Sequence, residues 1–194
     1  MFEYIKGSVA ELTPTYVVME SAGIGYAVHI SLQTYSRLNH LKEAQLWLHH
    51  IVREDAEQLF GFYDKDEREL FRLLISVSGV GPNTGRMVLS SLNSTEVRNA
   101  ILQGDINKIQ SVKGIGLKTA QRIIVDLKDK VGKIVISGDN AGIGIIGAAR
   151  EEALSALVML GFGKPAVEKM LNVLLRENSD YEVEDLIKIA LKRL

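Results

Sequence analysis

Two glycine turns stand a fixed distance apart in this chain: Gly79-Val80-Gly81-Pro82-Asn83-Thr84-Gly85 and Gly114-Ile115-Gly116-Leu117-Lys118-Thr119-Ala120. The offset is 35 residues, and the apolar flanks keep it: Leu74 matches Ile109, Val77 matches Val112, Val88 matches Ile123, and Leu92 matches Leu127. Each copy reads as an apolar helix, a Gly-hydrophobic-Gly turn and a second apolar helix. Glycine admits a positive φ and, lacking Cβ, lets the turn lie against another backbone. The helix that follows presents unpaired N–H groups and partial positive charge, which suits a phosphate. One such turn is also what an ordinary helix C-cap looks like. Two in register form a surface able to hold both strands of a duplex by their phosphates.

This constellation resembles the tandem helix–hairpin–helix of DNA-repair proteins, which grips duplex across the minor groove without reading sequence. The candidate contacts are Gly79, Gly81, Asn83 and Thr84 in the first hairpin, and Gly114, Gly116, Lys118, Thr119 and Arg122 in the second. A net charge of −1 looks wrong for a nucleic-acid binder until it is divided along the chain. Residues 1–62 carry 4 basic and 7 acidic side chains, residues 63–136 carry 12 and 8, and residues 137–194 carry 7 and 9. The positive excess lies in the segment with both turns, and phosphate neutralisation needs local rather than global charge.

Residues 1–63 read as a barrel. Strands are expected over Phe2 to Leu12, Tyr16 to Ser21, Tyr26 to Leu32, Gln45 to Arg53 and Glu57 to Phe62, with a short helix within 33–44. The period-two alternation of Tyr26, Val28, Ile30 and Leu32 is the clearest local sign. Five strands with a helix between the third and fourth is the plan of an OB-fold. From Asp64 to Gly132 the period becomes helical, with Asp64/Glu67 and Asn93/Glu96 reading as N-cap boxes. Residues 133–148 read as a glycine-rich flexible linker, although its five isoleucines are unusual for one. Residues 149–194 suggest a small three-helix bundle of ubiquitin-associated type, with Pro165 opening the second helix and Ser179/Glu182 capping the third. The expected fold class is α+β and multidomain.

Composition narrows the chemistry. Apolar content of 46% fits a core-forming protein, and no run approaches the roughly 18 apolar residues that a membrane span needs. With no cysteine there is neither disulfide nor thiolate metal site, and no basic-then-apolar leader opens the chain, so a cytoplasmic protein is expected. Gly142-Ile143-Gly144-Ile145-Ile146-Gly147 matches the dinucleotide fingerprint, but four residues separate it from the strand-like run Lys133 to Ser137 and no acidic strand follows. Gly116-Leu117-Lys118-Thr119 resembles the end of a P-loop, yet Leu117 and Ser111 occupy positions where that loop needs glycine. No cofactor is therefore expected. Asp126 and Asp129 sit where hairpin glycosylases keep a catalytic acid, but a charged, solvated helix face accounts for them equally.

Taken together, the barrel, two hairpins, glycine-rich linker and terminal bundle resemble the RuvA family, the Holliday-junction-binding subunits of bacterial branch-migration machinery. The most specific local match is Val52-Arg53-Glu54-Asp55-Ala56 followed by Leu59-Phe60-Gly61-Phe62. The resemblance implies that Glu54 and Asp55 form an acidic pin at the centre of a homotetramer, where four duplex arms meet, with Arg53 beside them as a further DNA contact. Acids also simply favour turns. It further implies four-way junction and duplex DNA as ligands, the RuvB hexameric ATPase as partner of the terminal bundle, a link to the RuvC resolvase, and a role in recombination, DNA repair and the SOS response. Two departures stand out: Asn83 replaces a lysine common in relatives, and Leu117 replaces one of two consecutive basic residues. A nuclease or glycosylase using the hairpins as a grip, or a scaffold without junction preference, are the competing readings.

Overall fold

The computed structural model describes residues 2–132, 145–178 and 181–193. The strand-like run from Lys133, the glycine-rich segment as far as Gly144, and the expected cap Ser179 lie outside them. Five strands, β1 (Tyr4–Leu12), β2 (Tyr16–Ser21), β3 (Ile24–Ile30), β4 (Glu43–Val52) and β5 (Glu57–Phe62), close a barrel in the order β1-β2-β3-β5-β4. Only the β3–β5 pairing is parallel. Helix α1 (Leu32–Leu38) lies between β3 and β4 in the chain, which completes the OB plan.

Alternation puts Val17 and Met19 of β2, Val28 and Ile30 of β3, and Leu46 and Leu48 of β4 into one buried cluster with Leu38 of α1. The alternating pattern suggests a strand through Leu32, but β3 stops at Ile30. Ser31 ends it by capping α1, its Oγ accepting from the Thr34 N–H at 3.0 Å, so Leu32 is the first helical residue.

Phe60 and Phe62 of β5 belong to a second core, shared with α2 (Lys65–Ile75), α3 (Pro82–Ser91), α4 (Ser94–Gln103), α5 (Ile106–Gln110) and α6 (Leu117–Val131). Phe71 of α2 stacks on Phe60 at a centroid separation of 5.2 Å and meets Phe62 at 4.8 Å. Leu74, Val77, Val88 and their offset partners Ile109, Val112, Ile123 are all buried in this cluster. The connector α4 opens as its sequence suggests: Asn93 Oδ1 accepts from the Glu96 N–H and Glu96 Oε2 from the Asn93 N–H, each at 2.9 Å.

The same pattern at Asp64/Glu67 does not form a box, and the reason is tertiary. Asp64 makes no side-chain cap, and Glu67 is buried in the seam between α2 and the barrel. Its carboxylate accepts from the Ser31 hydroxyl and, at 2.7 Å, from the Thr34 hydroxyl, which itself accepts from the Tyr63 N–H at 3.0 Å. Reaching back to the Asp64 N–H would leave two buried hydroxyl donors unpaired. Arg86 of α3 closes the other side of the seam, donating through Nη1 to the carbonyls of Thr15 (3.1 Å) and Ile30 (3.3 Å). The Leu32 N–H donates to Ser90 Oγ beside it at 3.1 Å.

Of the described residues, 2–132 form one compact unit and those from 145 onward another. In the second, α7 (Ile145–Met159), α8 (Lys164–Glu177) and α9 (Val183–Arg193) surround Leu157, Val167, Leu171, Leu174 and Leu186. Gly161, at φ +98°, turns the chain between α7 and α8.

Burial pushes the Glu67 carboxyl up to about 7, overriding the Ser31 and Thr34 hydroxyl donations that favour its charged form. The folded state thus holds this proton more tightly than the unfolded chain, where the ordinary value is 4.5. Stability is fullest below that value and falls as pH rises towards about 7. Wild type is expected to lose about 3 kcal/mol more than Glu67→Gln across this window, as each pKa unit is worth about 1.4 kcal/mol. Urea midpoints at pH 5 and pH 8 check this; parallel pH profiles for the two proteins would refute it.

Candidate nucleic-acid interface

The two turns are copies in backbone as well as in sequence. Gly79 and Gly114 hold φ of +92° and +90°. The next glycines, Gly81 and Gly116, are N-caps with φ −81° in both and ψ of 169° and 165°. Their hydrogen bonds repeat at the same offset. The Val80 N–H donates to the Val77 carbonyl at 3.0 Å, and the Ile115 N–H to the Val112 carbonyl at 3.1 Å. Gly85 N–H to Gly81 carbonyl and Ala120 N–H to Gly116 carbonyl are both 2.9 Å. No side chain caps α3 or α6, so their first-turn amides face outward without an intrahelical partner.

Each turn lies against the second helix of the other copy. A Cβ on Gly79 would stand 4.0 Å from Thr119 Oγ1, and one on Gly114 would stand 3.8 Å from Met87 Cε. Arg122 of α6 donates through Nη1 to the Ser78 carbonyl at 3.2 Å. Met87 and Arg122 are themselves related by the 35-residue offset, so the contacts follow a local two-fold relation. Arg122, read from sequence as a phosphate contact, therefore also braces the first turn. Lys118 and Asn83 are exposed at equivalent places, Thr84 and Thr119 half-buried beneath them.

The glycines divide into two kinds. Gly79 and Gly114 sit where φ excludes most side chains. Gly81 and Gly116 have ordinary extended backbone, and among the described residues nothing lies within 4 Å of a Cβ placed on either. Of the two properties glycine offers, positive φ is used among these four only at Gly79 and Gly114. At Gly81 and Gly116 the lack of a side chain instead leaves the helix N-terminus open to a close approach.

Arg53, Glu54 and Asp55 are exposed in the tight β4–β5 turn, which the Arg53 N–H closes on the Ala56 carbonyl at 2.8 Å. A groove of about 450 Å³ joins this turn to the first hairpin, its walls including Val52 and Arg53 on one side and Val80, Gly81 and Pro82 on the other. The structure thus brings Arg53 to the first hairpin, a proximity no spacing in the sequence announces. Val52, quoted from sequence only as part of the local match, is 67% exposed at the same tip. Lys113 was also missed, although the offset that pairs Gly79 with Gly114 would have flagged it. Adjacent on β4, His49 and His50 point to opposite faces: His49 Nδ1 accepts from Arg72 Nε at 3.4 Å, while His50 Nε2 lies 2.7 Å from Glu57. Asp126 and Asp129 are exposed on α6, and among the described residues no group of three or more acids or histidines is placed to hold a metal. Among those residues, too, no helix is long and apolar enough to cross a membrane. The arrangement offers outward amides and a few cations for an anionic backbone, beside an isolated acidic tip.

Comparison with known proteins covers nearly the whole chain. Residues 1–61 match the RuvA N-terminal domain, 71–129 the SAM-like helix-hairpin-helix tandem, and 148–194 the RuvA C-terminal domain. The chain is 50% identical over 202 residues to the Holliday junction branch migration complex subunit RuvA of Bacteroides fragilis, with 100% of both proteins covered. It is 50% identical over 194 residues to the protein of that name from Christiangramia forsetii and 48% over 204 residues to that of Porphyromonas gingivalis, again with 100% of each covered.

The two kinds of glycine predict separable effects. Gly114→Val should destabilise the folded state by about 1–2 kcal/mol, the cost of forcing a side chain to positive φ. Gly116→Val should cost under about 1 kcal/mol, as a poorer N-cap only, yet abolish binding to duplex DNA. Thermal melts with duplex titrations check both. A Gly116→Val protein with unchanged DNA affinity would show that the helix N-terminus is not the contact.

Proposed function

The chain belongs to the RuvA family, and from that premise we propose that it binds four-way DNA junctions without sequence specificity, as a homotetramer, and recruits the RuvB hexameric ATPase for branch migration in recombination and repair. The observation that carries this reading is the pairing of two backbone-identical hairpins with an exposed acidic tip, joined by one groove at Arg53 and Gly81. Two equivalent turns suit two strands of one duplex arm. Four copies suit the four arms of a junction.

Outward amides with Lys118 supply contacts that follow phosphates and ignore bases, so affinity falls with salt and not with sequence. Glu54 and Asp55 act oppositely. Each carboxylate held about 4–6 Å from a phosphate meets a repulsion of roughly 1 kcal/mol in water, and more where water is excluded. A pin of such groups at the crossover keeps strands apart while they exchange partners and discourages ordinary duplex from crossing the same surface. The chain's task on this account is to hold and shape DNA, with ATP hydrolysis and force left to the motor. The C-terminal bundle, with Met159 and Leu160 exposed at the end of its first helix, is the proposed attachment for that motor.

Neutralising the tip tests the reading. Glu54→Gln with Asp55→Asn should leave folding intact, because both residues are exposed at a turn. Duplex affinity should rise several-fold while junction affinity holds or rises less, so junction preference falls. Weaker junction binding with unchanged duplex binding would overturn the repulsive role.

A further inference from the structure

The two hairpins share a backbone but not a charge. Across the 35-residue offset, the first carries Ser78, Asn83 and Met87 where the second carries Lys113, Lys118 and Arg122. All three cations fall on one side of the pair.

The first hairpin does own an arginine, Arg86, but it is turned away. Its Nη1 is committed to the Thr15 and Ile30 carbonyls of the barrel, and its Nε is buried without a hydrogen-bond partner among the described residues. That side chain belongs to the seam. Pro82 moreover has no N–H, so the first helix offers one amide fewer at its opening than the second, which begins on Leu117. By contrast Lys113 and Lys118 are exposed and form no ion pair among the described residues. Arg122 is exposed and spends one Nη1 contact on Ser78, with its other donors available.

Resting on the DNA-binding reading above, we propose that the two hairpins grip the two strands of a duplex arm by different means. The α5–α6 hairpin holds its strand by cation–phosphate contact. The α2–α3 hairpin has no cation at the matching positions and holds the other by uncharged amides, with Arg53 of the β4–β5 turn lining the groove beside it. The phosphate is ionised in both kinds of contact, but only a cation adds charge–charge attraction and releases condensed counterions, so the cation contacts carry nearly all the salt dependence. The strand at the second hairpin is therefore the anchored one, and the strand at the first slides more freely as an arm moves through the complex. Because the backbone geometry of the two turns matches so closely, the difference lies in side-chain charge and can be edited by single substitutions.

The test uses the full-length chain and four-way junctions whose arms carry uncharged methylphosphonate linkages on one strand or on its complement. At about 0.1 M salt, neutralising one strand should weaken binding at least about threefold more than neutralising the other. Equal weakening would overturn the proposal. Asn83→Lys, at an exposed site whose counterpart Lys118 is already lysine, should shrink the strand difference and steepen the salt slope by about one per hairpin engaged. Lys118→Asn should shrink the difference from the other side, with Lys113 and Arg122 keeping part of it, and flatten the slope by the same amount. A strand difference unmoved by both substitutions would also overturn it. If the wild-type chain bound neither junction nor duplex, the DNA-binding reading itself would fall, an outcome distinct from equal weakening.

Discussion

The stacking of Phe71 on Phe60 and Phe62 sets where everything else stands. Phe60 and Phe62 lie on the strand that begins at the acidic turn, and Phe71 lies on the helix that leads to the first glycine turn. One aromatic cluster thus ties both functional ends to a single core. Each fully buried ring contributes about 2–3 kcal/mol through removal from water, with a further fraction from ring–ring contact. The polar contacts around it, Glu67 on one side and Arg86 on the other, add direction more than energy. They hold the barrel against the hairpin helices in one orientation, because neither group finds its partners in any other. Without that orientation the groove between Arg53 and Gly81 would not exist.

How much of this was legible in the sequence follows from how local each signal is. The hairpin repeat was readable because its information lies within a dozen residues of each turn, and the matched φ values of Gly79 and Gly114 reflect it directly. The barrel strands were readable from alternation, except at Ser31, where a capping hydroxyl ended β3 two residues early. Asn93/Glu96 and Asp64/Glu67 carry the same capping pattern, yet only the exposed one forms a box. At Glu67, burial against α1 outweighed a local bond, which no window of sequence around it reveals. Arg86 was invisible for the same reason: its partners are 56 and 71 residues away.

The site shows the same division. That glycines would line it could be read from the chain. That they serve two purposes, conformation at Gly79 and Gly114 and clearance at Gly81 and Gly116, required the backbone angles and the empty space around each. Arg122, the phosphate contact expected from sequence, also braces the opposite turn while remaining exposed. On the proposed function, a surface built this way would follow the shape and charge of a nucleic-acid backbone, not a base sequence, and leave discrimination to geometry and to the acids at the barrel tip.

Junction preference is the claim on which the account stands, and direct competition tests it. A labelled four-way junction bound to the full-length chain would be challenged with unlabelled junction and with linear duplex of equal length and composition, at fixed salt. The account predicts that unlabelled junction displaces the label at a concentration at least about tenfold lower than duplex, a difference of about 1.4 kcal/mol. Equal displacement by the two competitors would contradict it and leave a general DNA-binding scaffold as the better description.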